Sequence, residues 1–140
     1  MSSGPDRRRE TFSRDDRLRK RQEFEECYAS GVRVSGRHLQ VFLLTAGTAR
    51  PSPDPESAGR PRLGLSVSRR VGGAVARNRV RRRLREIFRR NRDVFGGRGG
   101  NLVVNAKPSA AKASFTELAE EYRSLVARTL SRAPERQVPR

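Results

Sequence analysis

The sequence predicts an α+β fold, with helices packed on one mixed four-stranded sheet in the order α-β-β-β-α-β-α. Three observations predict it. The chain has 140 residues, a length that suits one compact domain with room for loose ends. Three segments repeat apolar residues at intervals of three and four, the spacing of a helical face. Around them lie short runs of strand formers bounded by glycine, proline and small polar residues.

Residues 1–16 are polar and charged without hydrophobic periodicity and are expected to form a flexible basic N-terminal arm. The globular part begins at Arg17 and is expected to run through residue 130. Over residues 20–30, Phe24, Cys27 and Tyr28 fall at helical spacing, and Gly31 stands where a left-handed C-terminal cap is expected. Residues 32–35 form a short strand. In the next strand, 38–45, Leu39, Val41 and Leu43 share one face while Gln40, Phe42 and Leu44 share the other. Residues 47–61 carry four prolines and are expected to be an exposed, flexible loop. Residues 62–68 then alternate: Leu63, Leu65 and Val67 on one side, only Gly64, Ser66 and Ser68 on the other. Such a bare face suits the floor of a groove that admits a bulky ligand close to the backbone.

A glycine turn at Gly72 and Gly73 opens the second helix. Ala76, Val80, Leu84, Ile87 and Phe88 supply its core stripe, and eight arginines between Arg77 and Arg90 surround the rest of the cylinder. Arg77, Arg81 and Arg85 are each four apart and share a flank. Like charges at this spacing cost an isolated helix roughly 0.2 to 0.5 kcal/mol per pair, so a bound polyanion is the economical explanation. Residues 96–100 read as a flexible turn and 102–106 as an apolar strand. Ser114 and Glu117 have the spacing of a capping box. Phe115, Leu118, Tyr122, Leu125, Val126 and Leu130 then form a sustained helical stripe, and residues 131–140 are expected to be a disordered tail.

Charge narrows the function. The formal net charge is +17, and all but three of the 32 basic residues are arginine. The guanidinium fork binds phosphate in a bidentate way and stacks on bases, so RNA is the natural partner. One cysteine, Cys27, excludes an intrachain disulfide, and with the single histidine, His38, it assembles no zinc site. Neither residue is assigned a role, and no disulfide-linked partner is expected. No long apolar run occurs, so the protein is expected to be soluble and cytoplasmic, with no membrane partner. The acidic residues lie mainly in the N-terminal half, the proline loop and the last helix, without a matched pair in a predicted cleft. Catalysis by the polypeptide itself is therefore not expected.

Several strings together carry a more specific reading. Arg17-Leu18-Arg19, Phe24 and Tyr28, Gly36-Arg37, residues 63–68, the run from Val71 through Arg77-Asn78-Arg79, and Arg81-Arg82-Arg83-Leu84-Arg85-Glu86 occur in the order and spacing of the bacterial ribonuclease P protein family. The resemblance covers residues 17–130. It implies a fold like the second domain of ribosomal protein S5, with a left-handed βαβ crossover. It also implies a protein subunit that helps a catalytic RNA remove the 5′ leader from precursor tRNA, with Mg2+ used by the RNA–protein holoenzyme and no catalytic residue in this chain. Carried over residue by residue, Arg69, Arg70, Arg77, Asn78, Arg79, Arg81, Arg82 and Arg85 are expected to contact the catalytic RNA. Arg17, Arg19, Phe24, Tyr28, Phe42 and Ser66 are expected to line a leader-binding cleft between the first helix and the sheet. The family usually has asparagine where this chain has Gly73, so any contact of that side chain is missing here.

The ordinary rivals are a solvated charged face for the arginines and core packing for the aromatics. Two other functions share the composition. A structural RNA binder such as a ribosomal protein would have the same charge and size, and a nucleoid or membrane-surface protein could use the arginine helix as an amphipathic cation.

Overall fold

A computed structural model describes residues 17–45, 60–96 and 98–132. The predicted arm, nearly all of the proline loop and residues 133–140 of the tail lie outside these. In chain order the elements are α1 (Arg21–Ser30), β1 (Val32–Ser35), β2 (Leu39–Thr45), β3 (Pro61–Val67), α2 (Ala74–Arg90), β4 (Gly100–Ala106) and α3 (Phe115–Arg132). Single 3-10 turns at Arg69–Val71, Arg92–Phe95 and Pro108–Ala111 join them. The four strands form one sheet in the order β1-β2-β4-β3. β1/β2 and β2/β4 are antiparallel and β3/β4 is parallel. The expected mixed sheet and element order are therefore present. The parallel pair is joined through α2, as a βαβ crossover requires.

The sheet has two unequal faces. On one, Leu39, Val41, Leu43, Leu63, Val67, Leu102 and Val104 pack against Val80, Leu84, Ile87 and Phe88 of α2 and Leu118, Tyr122, Leu125 and Val126 of α3. This is the main core; it takes in many of the periodic residues that the sequence marks, together with Val71, Phe95, Ala110 and Ala113, which it does not. The other face carries a smaller cluster of Leu18, Cys27, Phe42, Leu44 and Val103, with Phe24 packed against it. The alternation in β2 thus sends alternate side chains to two different cores.

The helix ends show why the chain turns where it does. At α1, the Glu23 carboxylate accepts the backbone N–H groups of Lys20 and Arg19 and receives the Arg62 guanidinium at 2.7 Å, which ties the helix start to β3. Burial pushes the Glu23 pKa up, but the Arg62 pair and the two N–H donors outweigh it, and the carboxyl lies below its ordinary value. At α3, the Ser114 hydroxyl accepts the Glu117 N–H at 3.0 Å and the Glu117 carboxylate accepts the Ser114 N–H at 2.8 Å, completing the predicted capping box. That helix continues through Arg132, two residues into the predicted tail.

Gly31 is not a left-handed cap. Its backbone is extended (φ −76°, ψ 158°). What demands glycine is a close approach, since a Cβ there would lie 2.6 Å from the Cys27 carbonyl oxygen and 3.0 Å from that of Leu43. Strand β4 also begins earlier than predicted, at Gly100, whose positive φ of 146° and nearness to the Leu44 carbonyl suit only glycine.

Candidate RNA interface

The arginines of α2 divide into two groups. Three serve the protein itself. Arg83 donates to the Ala113 carbonyl at 3.0 Å, while Arg89 and Arg90 hold the Glu86 carboxylate, and the Arg90 guanidinium also sits 5.5 Å from the Phe115 ring centroid. The Arg89 hydrogen bond, against some burial and with help from Arg90, brings the Glu86 pKa down to about 2. The others match the predicted set. Asn78, Arg79 and Arg82 are exposed and Arg77, Arg81 and Arg85 half-buried, while Arg69 and Arg70 stand exposed on the turn before the helix. Within this set the Asn78 side-chain oxygen accepts a hydrogen bond from Arg81 at 3.0 Å, which orients that guanidinium. The Ser68 hydroxyl accepts the Arg70 N–H at 3.3 Å and so shapes the turn that carries Arg69 and Arg70.

Arg17 belongs with this group in space. The short bridge from Arg17 to Leu63 lays the start of the domain along β3. There Arg17, Arg81 and Arg85 line a pocket of about 100 Å3 with Leu18, Phe24, Leu63 and Leu65. Burial, then the charges of Arg17 and Arg81, lower the Arg85 pKa below its ordinary value. An anion placed among these three guanidiniums would relieve their mutual repulsion. The sequence assigns Arg17 to the leader cleft; its position makes it a link between that cleft and the basic helix.

The expected cleft residues lie on the sheet face that α1 covers. Phe24 is half-buried, and its ring occupies the space above Gly64, where a Cβ would come within 2.7 Å of Cζ. The bare position in β3 is therefore filled by the chain's own phenylalanine rather than left open for a ligand. Phe42 is 7% exposed and Tyr28 is 41% exposed. Their rings meet edge to face with centroids 4.8 Å apart. Phe42 is thus a floor beneath Tyr28, while Tyr28 presents aromatic surface to solvent. Ser66 is half-buried in β3, and Arg19 is exposed just before α1.

Residues that the sequence reading missed complete this face. Register places Ser35, Gln40 and Asn105 in one row with Ser66, across all four strands. Lys107 reaches Ser35 with its ammonium at 2.8 Å, and Arg33 stands exposed opposite Phe42. The Tyr28 hydroxyl donates to Asn105 Oδ1 at 3.1 Å. A signal existed: Gln40 and Asn105 are long polar side chains flanked by apolar residues in two mostly apolar strands. α1 covers the apolar rows and leaves the polar one accessible, so an aromatic edge borders a hydrogen-bonding floor with cations beside it. Such a surface suits a single-stranded nucleic acid.

Other chemistry finds little here. Among the described residues, no three His, Cys, Asp or Glu side chains converge as a metal site, and no helix is long and apolar enough to cross a membrane. Cys27 is buried, and burial, with the nearby Glu26 and Glu23 charges, pushes its pKa up to about 12, so its thiol stays protonated.

Comparison with known proteins gives one answer. Residues 12–130 match the model of the Ribonuclease P family. The chain is 45% identical over 112 residues to a ribonuclease P protein component from Acidothermus cellulolyticus, spanning 80% of this chain and 86% of that protein. A ribonuclease P protein component from Streptomyces avermitilis is 40% identical over 116 residues, spanning 83% and 93%. Among solved structures, the RNase P protein from Thermotoga maritima superposes with a TM-score of 0.64 at 28% identity, covering 80% of this chain and 96% of that one.

Proposed function

The chain belongs to the ribonuclease P family, as the protein component of that ribonucleoprotein endoribonuclease, and from this premise we propose how its two surfaces divide the work. The arginine set on α2 and its preceding turn, Arg69, Arg70, Arg77, Asn78, Arg79, Arg81, Arg82 and Arg85, binds the catalytic RNA. The α1 side of the sheet, with Phe24, Tyr28, Phe42 and Ser66 flanked by Arg17 and Arg19, holds the 5′ leader of precursor tRNA. Residues 17–130 are the working domain on this reading, and its setting is the cytoplasm.

The observation that carries the proposal is the division of the α2 arginines. Arg83, Arg89 and Arg90 are committed to the fold, whereas Arg79 and Arg82 extend into solvent with Asn78 beside them. Exposed arginines at such density make RNA binding strong and salt-sensitive, because each phosphate neutralised releases a counterion. The leader face works differently. Stacking on an aromatic side chain is worth roughly 1 to 3 kcal/mol per base and tolerates sequence variation, which suits a leader that differs between tRNAs.

Hydrolysis of the phosphodiester belongs to the RNA subunit, and Mg2+ use by the holoenzyme is part of this proposal. The residues facing the cleft are amides, hydroxyls and cations, a donor set that does not fit a magnesium cage. What the protein supplies is positive charge that lowers phosphate repulsion, and a grip on the leader that orients the substrate. The test is cleavage of precursor tRNA by a cognate ribonuclease P RNA at low magnesium, with and without this protein. Stimulated cleavage at the mature 5′ end is expected. A correctly folded RNA that gains nothing from the protein would overturn the reading in favour of a structural RNA binder.

A further inference from the structure

The turn between β1 and β2 is held more firmly than an exposed turn requires. The Gly36 N–H donates to the Leu39 carbonyl at 2.8 Å, the Gly36 carbonyl accepts the Lys107 ammonium, and the Arg37 carbonyl accepts the Ser109 hydroxyl at 3.2 Å. The His38 carbonyl accepts the Lys107 N–H at 2.8 Å. The N–H groups of His38 and Leu39 both donate to one oxygen of Glu121, Oε2, at 2.8 and 2.7 Å. Glu121 belongs to α3, on the closed side of the sheet, and is half-buried. Gly36 makes room for it, since a Cβ there would lie 2.6 Å from Oε2. Gly36 has no positive φ, so the carboxylate rather than the backbone conformation asks for glycine.

The turn ends where the polar row begins. Ser35 and Gln40 stand on either side of it, are paired across β1 and β2, and carry the row at that edge of the sheet. In a mobile turn water satisfies such N–H groups; here a side chain from α3 takes them, which fixes the turn before any ligand arrives. We propose that Glu121 is a positioning residue for the leader surface: it fixes the turn from the closed face and thereby holds Ser35 and Gln40 in place to hydrogen-bond the leader. The inference rests on the leader-cleft reading above, and it adds a link between the two faces of the sheet. Glu121 acts through the turn and not by touching RNA, because the sheet lies between α3 and the row. Charge would work with the opposite sign. A carboxylate repels RNA, so removing it by charge alone strengthens binding. A weaker grip on the leader after its removal therefore reports lost position.

The holoenzyme, assembled from this protein and a cognate catalytic RNA, is titrated with precursor and mature tRNA, and the affinity of the protein for the catalytic RNA is measured alongside. Glu121→Ala is expected to lower the preference for precursor about threefold to tenfold, the range of one net hydrogen bond, with catalytic-RNA affinity unchanged. Glu121→Gln is expected to keep the preference, because both N–H groups use a single oxygen, which the amide carbonyl replaces. Gly36→Ala pushes the carboxylate aside; it is expected to reproduce the loss in the parent protein and to add nothing to Glu121→Ala. Should Glu121→Ala fail to fold, Gly36→Ala carries the test. In a Ser35→Ala/Gln40→Ala background, displacing the carboxylate is expected to lower the preference no further, since residues that act as one unit are not additive. An unchanged preference in Glu121→Ala and Gly36→Ala overturns the inference, as does a loss in Glu121→Gln as large as in Glu121→Ala. An equal loss of catalytic-RNA affinity, or an undiminished loss in the Ser35→Ala/Gln40→Ala background, also overturns it, by showing a general loosening of the fold. If the unmodified holoenzyme binds precursor and mature tRNA alike, it is the leader-cleft reading that fails, and the inference falls with it.

Discussion

The two faces of the sheet are built from the same alternating strands but finished differently. The face under α2 and α3 is closed: Leu39, Val41, Leu43, Leu102 and Val104 are at most 1% exposed, and two long helices cover them. The face under α1 is half closed. A ten-residue helix covers Phe42, Leu44 and Val103, and the row from Ser35 to Ser66 stays accessible. On the proposed reading, the difference teaches that the main core and the leader-binding surface fall on separate sides of one sheet. α2 serves both the core and the proposed catalytic-RNA surface, since its apolar stripe builds the closed core and its outer arginines extend into solvent.

Substitutions should break that comparison unequally. The largest effect is expected on the closed face, where Ile87→Ala leaves a cavity and costs about 2–5 kcal/mol in denaturant unfolding. Tyr28→Ala on the open face should cost about 1 kcal/mol or less while weakening leader binding. Comparable losses of stability would mean that both faces are core. Gly64→Ala comes next. Its new methyl group meets the Phe24 ring at 2.7 Å, so about 1–3 kcal/mol of overpacking is expected. Phe24→Leu should relieve part of that loss; strict additivity of the two substitutions would show that the ring is not what the methyl displaces.

The arginines offer a finer comparison within one helix. Arg82→Ala should reduce the salt dependence of catalytic-RNA binding by about one unit of log–log slope for each phosphate that Arg82 neutralises. Arg83→Ala should leave the slope alone and instead lower stability by about 1–3 kcal/mol, through the freed Ala113 carbonyl. The smallest effect belongs to Glu86. Its pKa falls from 4.5 to about 2 on folding, so its contribution is complete above about pH 4.5 and is lost as the pH drops through about 2. Glu86→Gln should remove about 0.5 kcal/mol of that acid dependence, a size limited by solvent screening. A profile between those pH values identical to that of the parent protein would show that the carboxylate contributes nothing.

Much of this organisation is legible in the sequence, because periodicity reports which side of an element is buried. The stripe Val80, Leu84, Ile87 and Phe88 and the alternation of Leu39, Val41 and Leu43 are readable on that ground. Periodicity does not report what fills a space. Gly64 is visible as a bare position, but Phe24, which covers it, comes from a helix far earlier in the chain. Gly31 is visible as a helix stop, yet its cause is the close approach of two carbonyls, one from α1 itself and one contributed by β2. The grouping of Arg17 with Arg81 and Arg85, and the row that joins Gln40 to Asn105, depend on strand order, which local sequence does not encode. The motif resemblance implies a topology that composition alone could not, and the interface proposed above starts from it.

The central claim is that one small domain carries two separable RNA surfaces. The most direct measurement compares two double variants, Arg79→Ala/Arg82→Ala and Phe24→Ala/Tyr28→Ala, for affinity to the catalytic RNA and, once assembled at saturating protein, for preference of precursor over mature tRNA. The account predicts that the first pair weakens assembly and keeps the preference, whereas the second keeps assembly and loses the preference. Equal loss of both properties in both variants, or the reverse assignment, would contradict it.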